Sequence, residues 1–144
     1  MATFTASAAS FASGAANAKP NAVATQGKIR YMVSTITVAA GSAIADVIQW
    51  GTVPNGSRVL GNLSKLYFAA GAASSTLNLG DSTTPARYLA ATSVTSAGSA
   101  VPEAASASGA VFVNTADTVI QSVVAGAGLQ TGQVITLHLA YVID

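Results

Sequence analysis

Cysteine is absent from this 144-residue chain, which excludes a disulfide framework and any thiolate metal site. Histidine occurs once, as His138, and the five carboxylates (Asp46, Asp81, Glu103, Asp117 and Asp144) stand singly. Neither the Asp-x-Asp spacing of a calcium loop nor a His-Glu-x-x-His zinc motif is present, so no metal and no cofactor is expected. Charge is scarce: charged residues make up 8% of the chain, against roughly 25% in an average soluble domain. The net charge of +1 comes without the Lys/Arg stripe that a nucleic-acid surface needs. Apolar runs are short, and none approaches the roughly eighteen residues of a membrane span. The opening Met1-Ala2-Thr3-Phe4-Thr5 has neither a basic n-region nor a continuous apolar h-region, so no secretory signal is expected.

These shortages leave little to build a catalyst from. His138 sits mid-strand between Thr136 and Ala140. A hydrolase would require it within hydrogen-bond reach of a nucleophile such as Ser122 or Ser64, and that reading ranks last; the chain is expected not to be an enzyme. Asp81 and Asp117 each follow a break beside a strand and read as turn caps. Gly126-Ala127-Gly128 opens no helix and lacks the lysine of a phosphate-binding loop. Asn62-Leu63-Ser64 is a glycosylation sequon only in form. Trp50, Tyr67 and Tyr88 would make a sugar-stacking platform if exposed together, whereas half-buried core or interface positions are the commoner state of such rings.

What the chain does have is strand pattern. Trp50-Gly51-Thr52-Val53-Pro54-Asn55-Gly56-Ser57-Arg58-Val59-Leu60 places two apolar runs around a Pro-Asn-Gly turn, the clearest hairpin signal in the sequence. Arg30–Ala39 alternates, with Met32, Ser34, Ile36 and Val38 in one phase and Tyr31, Val33, Thr35 and Thr37 in the other. Asp46–Val53 precedes the turn. Arg58–Ala69 follows it, interrupted at Gly61 by a bulge or a close backbone approach. Thr76–Leu79 is a short strand, and Arg87–Ala91 reads equally as a strand or one helical turn. Ser93–Gly109 is a Ser/Ala-rich connection with an edge strand near Val101. Ala110–Asn114, Thr118–Ala125 and Gln133–Ile143 close the chain. The last has the cleanest period of two, with Ile135, Leu137, Leu139, Tyr141 and Ile143 on one side. Seven or eight short strands without a helical period predict an all-β fold over residues 29–144: an antiparallel, jelly-roll-like β-sandwich.

Residues 1–28 differ in kind. They are mostly Ala, Ser, Thr, Asn and Gly, with two phenylalanines, Phe4 and Phe11, and the cations Lys19 and Lys28. One reading is a short helix over Thr3–Ser13 with both rings on one face; the dense Ser and Thr weaken it. Disorder is another. The favoured reading is an N-terminal arm whose phenylalanines find a groove on a neighbour. No acidic residue precedes Asp46, so Lys19, Lys28 and Arg30 are uncompensated in sequence and suit an acidic partner surface. Phe4, Phe11, Lys19, Lys28 and Arg30 are therefore the candidate partner-binding residues.

The balance of bulk and charge points the same way. A hydrophobic content of 51% is inflated by alanine. Val, Ile and Leu together number 31, and only Val23 precedes residue 29. A chain with a thin aliphatic core and little charge to keep it dispersed is expected to spend its life assembled with other subunits.

Ile48 to Val59, Leu77-Asn78-Leu79-Gly80-Asp81, Arg87-Tyr88-Leu89-Ala90-Ala91 and the closing Gly132-Gln133-Val134-Ile135-Thr136-Leu137 through Tyr141-Val142 together resemble small structural proteins of tailed bacteriophages. The resemblance covers residues 29–144. Proteins of that kind are capsid decoration (cement) proteins or head-fibre bases, commonly β-sandwich trimers seated where capsomers meet. It implies a virion component on the capsid surface, a homotrimer, with the major capsid protein as partner and no nucleic acid or membrane partner. It implies no catalytic residue. The alternative of a different class is a receptor- or glycan-binding module of a fibre or tail.

Overall fold

The computed structural model describes residues 28–102 and 107–143 of the chain. Nine strands carry it: β1 (Arg30–Thr37), β2 (Val47–Val53), β3 (Ser57–Val59), β4 (Lys65–Phe68), β5 (Thr76–Leu79), β6 (Leu89–Ser93), β7 (Gly98–Ala100), β8 (Thr118–Ala125) and β9 (Val134–Ile143). Among the described residues one four-residue α-helical turn, α1 (Ala107–Ala110), precedes β8. The strands form two antiparallel sheets. One runs β1-β9-β4-β7, with β3 added at the C-terminal end of β9; the other runs β2-β8-β5-β6. The all-β sandwich expected from the alternation is thus the observed fold, with nine strands rather than seven or eight. Among the described residues no helix is long and apolar enough to cross a membrane.

The alternation of β9 does what its period requires. Ile135, Leu137 and Leu139 point inward and are fully buried. They meet Leu66 from β4, Leu77 and Leu79 from β5, and Ile120 and Val124 from β8 in one core cluster. β1 repeats the rule: Met32, Ser34 and Ile36 are half-buried, while Tyr31, Val33, Thr35 and Thr37 are exposed.

The Pro54-Asn55-Gly56 reversal is present but does not make a hairpin. Gly56 has φ +77°, and the Ser57 amide donates to the Pro54 carbonyl at 3.1 Å, as a tight turn demands. Yet β2 pairs with β8 and β3 pairs with β9, so the turn is a corner where the chain changes sheet. The backbone groups that a hairpin would pair are taken by the segment before β8. The Gly56 amide donates to the Asn114 carbonyl at 2.7 Å, the Asn114 amide to the Ser57 carbonyl at 2.8 Å, and the Asn55 amide to Asp117 Oδ1 at 2.9 Å. Asn114 Nδ2 adds bonds to the Ser57 carbonyl and Oγ. A register shift in β2 between Gln49 and Gly51 turns the strand as it nears this corner.

Two other expectations are revised. The interruption at Gly61 is a 3₁₀ turn, Gly61–Leu63, that separates β3 from β4. Ala110–Asn114 is not a strand; it holds the corner just described and touches β3 through one bridge, Val113 to Arg58. Its side chains lack the alternation a strand would bury, since Val111 stands out in solvent.

Candidate functional site

Of the candidate partner-binding residues, Phe4, Phe11 and Lys19 lie outside the described residues. Lys28 and Arg30 are exposed at the entry to β1. Arg30 sits opposite Tyr141, at the end of the β1–β9 ladder.

The surface that β1 leads into is the outer face of its sheet. Register brings the outward residues of three strands into rows. Val33, His138 and Lys65 form one; Thr35, Thr136, Tyr67 and Ser99 the next; Thr37 and Val134 a third. Four large apolar side chains stand exposed on it: Tyr31 (62%), Val33 (61%), Val134 (43%) and Tyr67 (41%). Polar groups on the patch bond to one another. The Thr35 and Thr136 hydroxyls are 2.9 Å apart, the Tyr67 and His138 rings meet edge-on with centroids 5.2 Å apart, and Lys65 Nζ lies 5.3 Å from the centre of the Tyr67 ring. Lys65 is the one formal charge within these rows. Arg58, paired with Val142, lies beyond them toward the end of the sheet. None of the described carboxylates belongs to the face.

Exposed apolar groups scattered singly are ordinary, and these four are interspersed with Thr, His138 and Lys65 on one sheet face. The pattern was already visible in β1, where both phases carry β-branched or aromatic residues. A strand solvated on one side would put charge or small polar groups there. What only the register reveals is that Val33 stands beside His138 and Lys65, and Thr35 beside Thr136 and Tyr67, across the sheet.

The sugar platform does not form. Trp50 is 4% exposed, and its Nε1 donates to Ser122 Oγ at 2.8 Å inside the sandwich. Tyr88 is buried in the same core, leaving Tyr67 alone at the surface. The serines named as possible nucleophiles are committed elsewhere. Ser122 accepts from Trp50; Ser64 Oγ donates to the Leu60 carbonyl at 2.8 Å and accepts the Ala140 amide at 2.9 Å.

The carboxylates serve the backbone. Asp46 Oδ2 accepts the Ala43 amide, and Asp117 holds the corner at Asn55. Asp81 Oδ1 accepts the Thr83 and Thr84 amides and the Thr83 hydroxyl, while Oδ2 accepts Arg87 Nε. Burial pushes the Asp81 carboxyl up, but the bonds from Arg87, Thr83 and Thr84 outweigh it and hold the pKa at about 2. The Arg87 guanidinium in turn stacks on Phe112, 3.6 Å from the ring centre. These groups line a cleft of about 360 Å³ together with Asp117 and Thr118. Its Asp81–Arg87 pair closes the β5–β6 loop. Glu103 and Asp144 lie outside the described residues. Among the described residues no three or more His, Cys, Asp or Glu side chains gather as a metal site.

No family model matches the chain, and no curated protein matches it in sequence. The fold is similar to that of two solved chains. One belongs to the capsid of Ralstonia phage GP4, with a TM-score of 0.66 and 21% identity over 82% of this chain and 86% of that one. The other belongs to the capsid asymmetric unit of cyanophage Pam1, with a TM-score of 0.63 and 19% identity over 82% of this chain and 86% of that one. The sandwich is therefore a fold that occurs in the capsids of these two phages.

Proposed function

We propose that this chain is a non-enzymatic structural component of a phage virion, a jelly-roll-like sandwich that assembles as a homotrimer on the capsid surface and stabilises the shell. The observation that carries the reading is the fold likeness, over most of both chains, to polypeptides within two phage capsids. The outer face of β1-β9-β4, with four large apolar side chains exposed and Lys65 as the one formal charge in its rows, supports it, because a chain built to remain a free monomer would carry more charge there.

The mechanism is mass action. A protein that binds neighbouring major capsid protein subunits in the assembled shell, and not the separated subunits, stabilises the shell by RT ln(1 + [L]/Kd). One trimer touching several subunits gains further through effective concentration. Residues 1–28, through Phe4, Phe11, Lys19 and Lys28, together with Arg30, supply part of the grip on a capsid subunit or on a neighbouring copy.

The test is shell stability. Shells assembled without this chain, then saturated with it, should resist heat or denaturant better than bare shells, in proportion to occupancy. Undiminished occupancy by a Phe4→Ser/Phe11→Ser variant would remove the N-terminal segment from the mechanism. Identical resistance of bare and saturated shells would remove the stabilising role altogether.

A further inference from the structure

We infer that β1 is an open sheet edge at which a second copy of this chain adds its own β1, antiparallel and about a two-fold axis, so that the β1-β9-β4-β7 sheet runs on from one copy into the next. The inference goes beyond the reading of the chain as a virion subunit, since it holds for the protein before it meets a shell.

The two sheets end on β1, β7, β2 and β6, and the last three carry features that discourage a further strand. β7 is three residues long. β6 has five, and its ladder with β5 slips between Leu77 and Leu79. β2 is irregular between Gln49 and Gly51. β1 has none of these defences. It is eight residues long, contains neither proline nor lysine, and keeps an unbroken register with β9 from Arg30 to Thr37. Its one charge is its first residue, Arg30.

The ladder also shows which backbone groups are open. Val38 continues the β1–β9 register: its amide donates to the Gln133 carbonyl at 2.9 Å, and its carbonyl accepts the Gly132 amide at 2.8 Å. Hydrogen-bonded pairs alternate along an antiparallel ladder. Met32, Ser34 and Ile36 therefore turn their amides and carbonyls to β9, and Tyr31, Val33, Thr35 and Thr37 turn theirs outward. Among the described residues no other strand pairs with β1. A two-fold axis perpendicular to the sheet at Ser34 opposes Tyr31 to Thr37, and Val33 to Thr35, of the second copy. Every open group then has a partner, about eight bonds in all. On the inner side Met32 comes beside Ile36 of the second copy; both are half-buried against the core.

Charge selects this arrangement. The same axis sets Arg30 of the second copy beside Val38, which lines a cleft of about 300 Å³ together with Asp46. Asp46 accepts the Ala43 amide, and among the described residues neither Arg30 nor Asp46 is ion-paired within its own copy. The two-fold contact brings them together twice, while the two Arg30 residues stay roughly 27 Å apart. A parallel β1 would set those arginines side by side. Residues 1–27 are a poor rival for the edge, being mostly Ala, Asn, Gly, Lys and Pro, which strands disfavour. The contact is isologous, so in a trimeric assembly it links a copy of one trimer to a copy of the next.

The absence of native cysteine permits a direct test on the full-length chain. Ser34 faces its own symmetry mate in a non-hydrogen-bonded pair, with Cα atoms about 4.5 Å apart, a span a disulfide can bridge. Under oxidised glutathione, Ser34→Cys should run as a disulfide-linked pair on a non-reducing gel. Thr35 is more exposed but sits roughly 8 Å from its mate, so Thr35→Cys should stay single. Adding Thr35→Pro to the Ser34→Cys chain removes an amide aimed at the open edge and none bonded to β9; bridging should fall about tenfold while Trp50 stays enclosed. Adding Arg30→Glu instead places like charges at Asp46 and should lower the yield severalfold, a reading that stands even where the proline variant unfolds. No bridge in Ser34→Cys, equal bridging of Thr35→Cys, or a yield unchanged by Arg30→Glu would overturn the inference. Shell binding is read separately. Bridged pairs that ignore shells defeat the virion reading alone; shells decorated by chains that never bridge defeat this inference alone.

Discussion

Asp81 shows how a single side chain sets a measurable property. Its folded pKa of about 2 lies below the ordinary value of 3.8, and its side chain is only 6% exposed, so solvent screens the pair little. A depressed carboxylate contributes stability that is complete above about pH 4 and is lost as the pH falls toward 2. The shift corresponds to about 2 kcal/mol. Urea midpoints followed from pH 6 to pH 2 should fall for the wild type across that window. For Asp81→Asn they should start lower and lack that component. Equal slopes for the two proteins would show that the ion pair with Arg87 contributes nothing. At Ser122 the argument concerns an unmade bond. Ser122→Ala leaves the buried Trp50 N–H without its acceptor and should cost about 1–3 kcal/mol in denaturant unfolding. With Trp50 enclosed, its fluorescence should be blue-shifted, poorly quenched by acrylamide and indifferent to added glycans.

At the scale of elements, two glycines separate a conformational cost from a steric one. Gly132, in the turn before β9, has φ +82° with open space where a Cβ would stand, and Gly132→Ala should cost about 1 kcal/mol for the left-handed backbone alone. Gly126, after β8, has φ +75°, and a methyl group there would run into the Ser74 carbonyl. Gly126→Ala should cost more than Gly132→Ala, by a margin readable in thermal unfolding; the reverse order would contradict the packing of the Gly126 turn. The sheet-changing corner shows how far local sequence reaches. Pro54, Asn55 and Gly56 announced a reversal correctly, because turn chemistry is local. Which strands pair on either side is not local. Asn114 and Asp117, some sixty residues away, occupy the turn's backbone groups and send β2 and β3 to different sheets. The alternation of β1 and β9 was legible because one phase of each had to be buried. Ala110–Asn114 was misread as a strand because a short β-branched run looks the same whether it pairs or clamps.

For the whole molecule, the all-β class was legible in period and turn spacing, and the chain's poverty in charge is the ground for expecting a subunit. The make-up of the outer β1–β9–β4 face was not legible, since which residues share a row is set only by the β1–β9 and β4–β9 registers. That face predicts how the particle responds to mutation. Val33→Lys should leave the sandwich folded, because Val33 is 61% exposed, with unfolding midpoints within about 0.5 kcal/mol of wild type. It should nevertheless shift the sedimenting species from the assembled form toward the single chain. An unchanged mass would show that the face takes no part in assembly.

The most direct measurement is electron cryomicroscopy of shells prepared without this chain and then incubated with the purified protein. The account predicts additional density on the outer surface, in groups of three sandwiches at the junctions between capsomers. Shells that remain bare at saturating protein, while the chain stays a freely dispersed single copy, would contradict it.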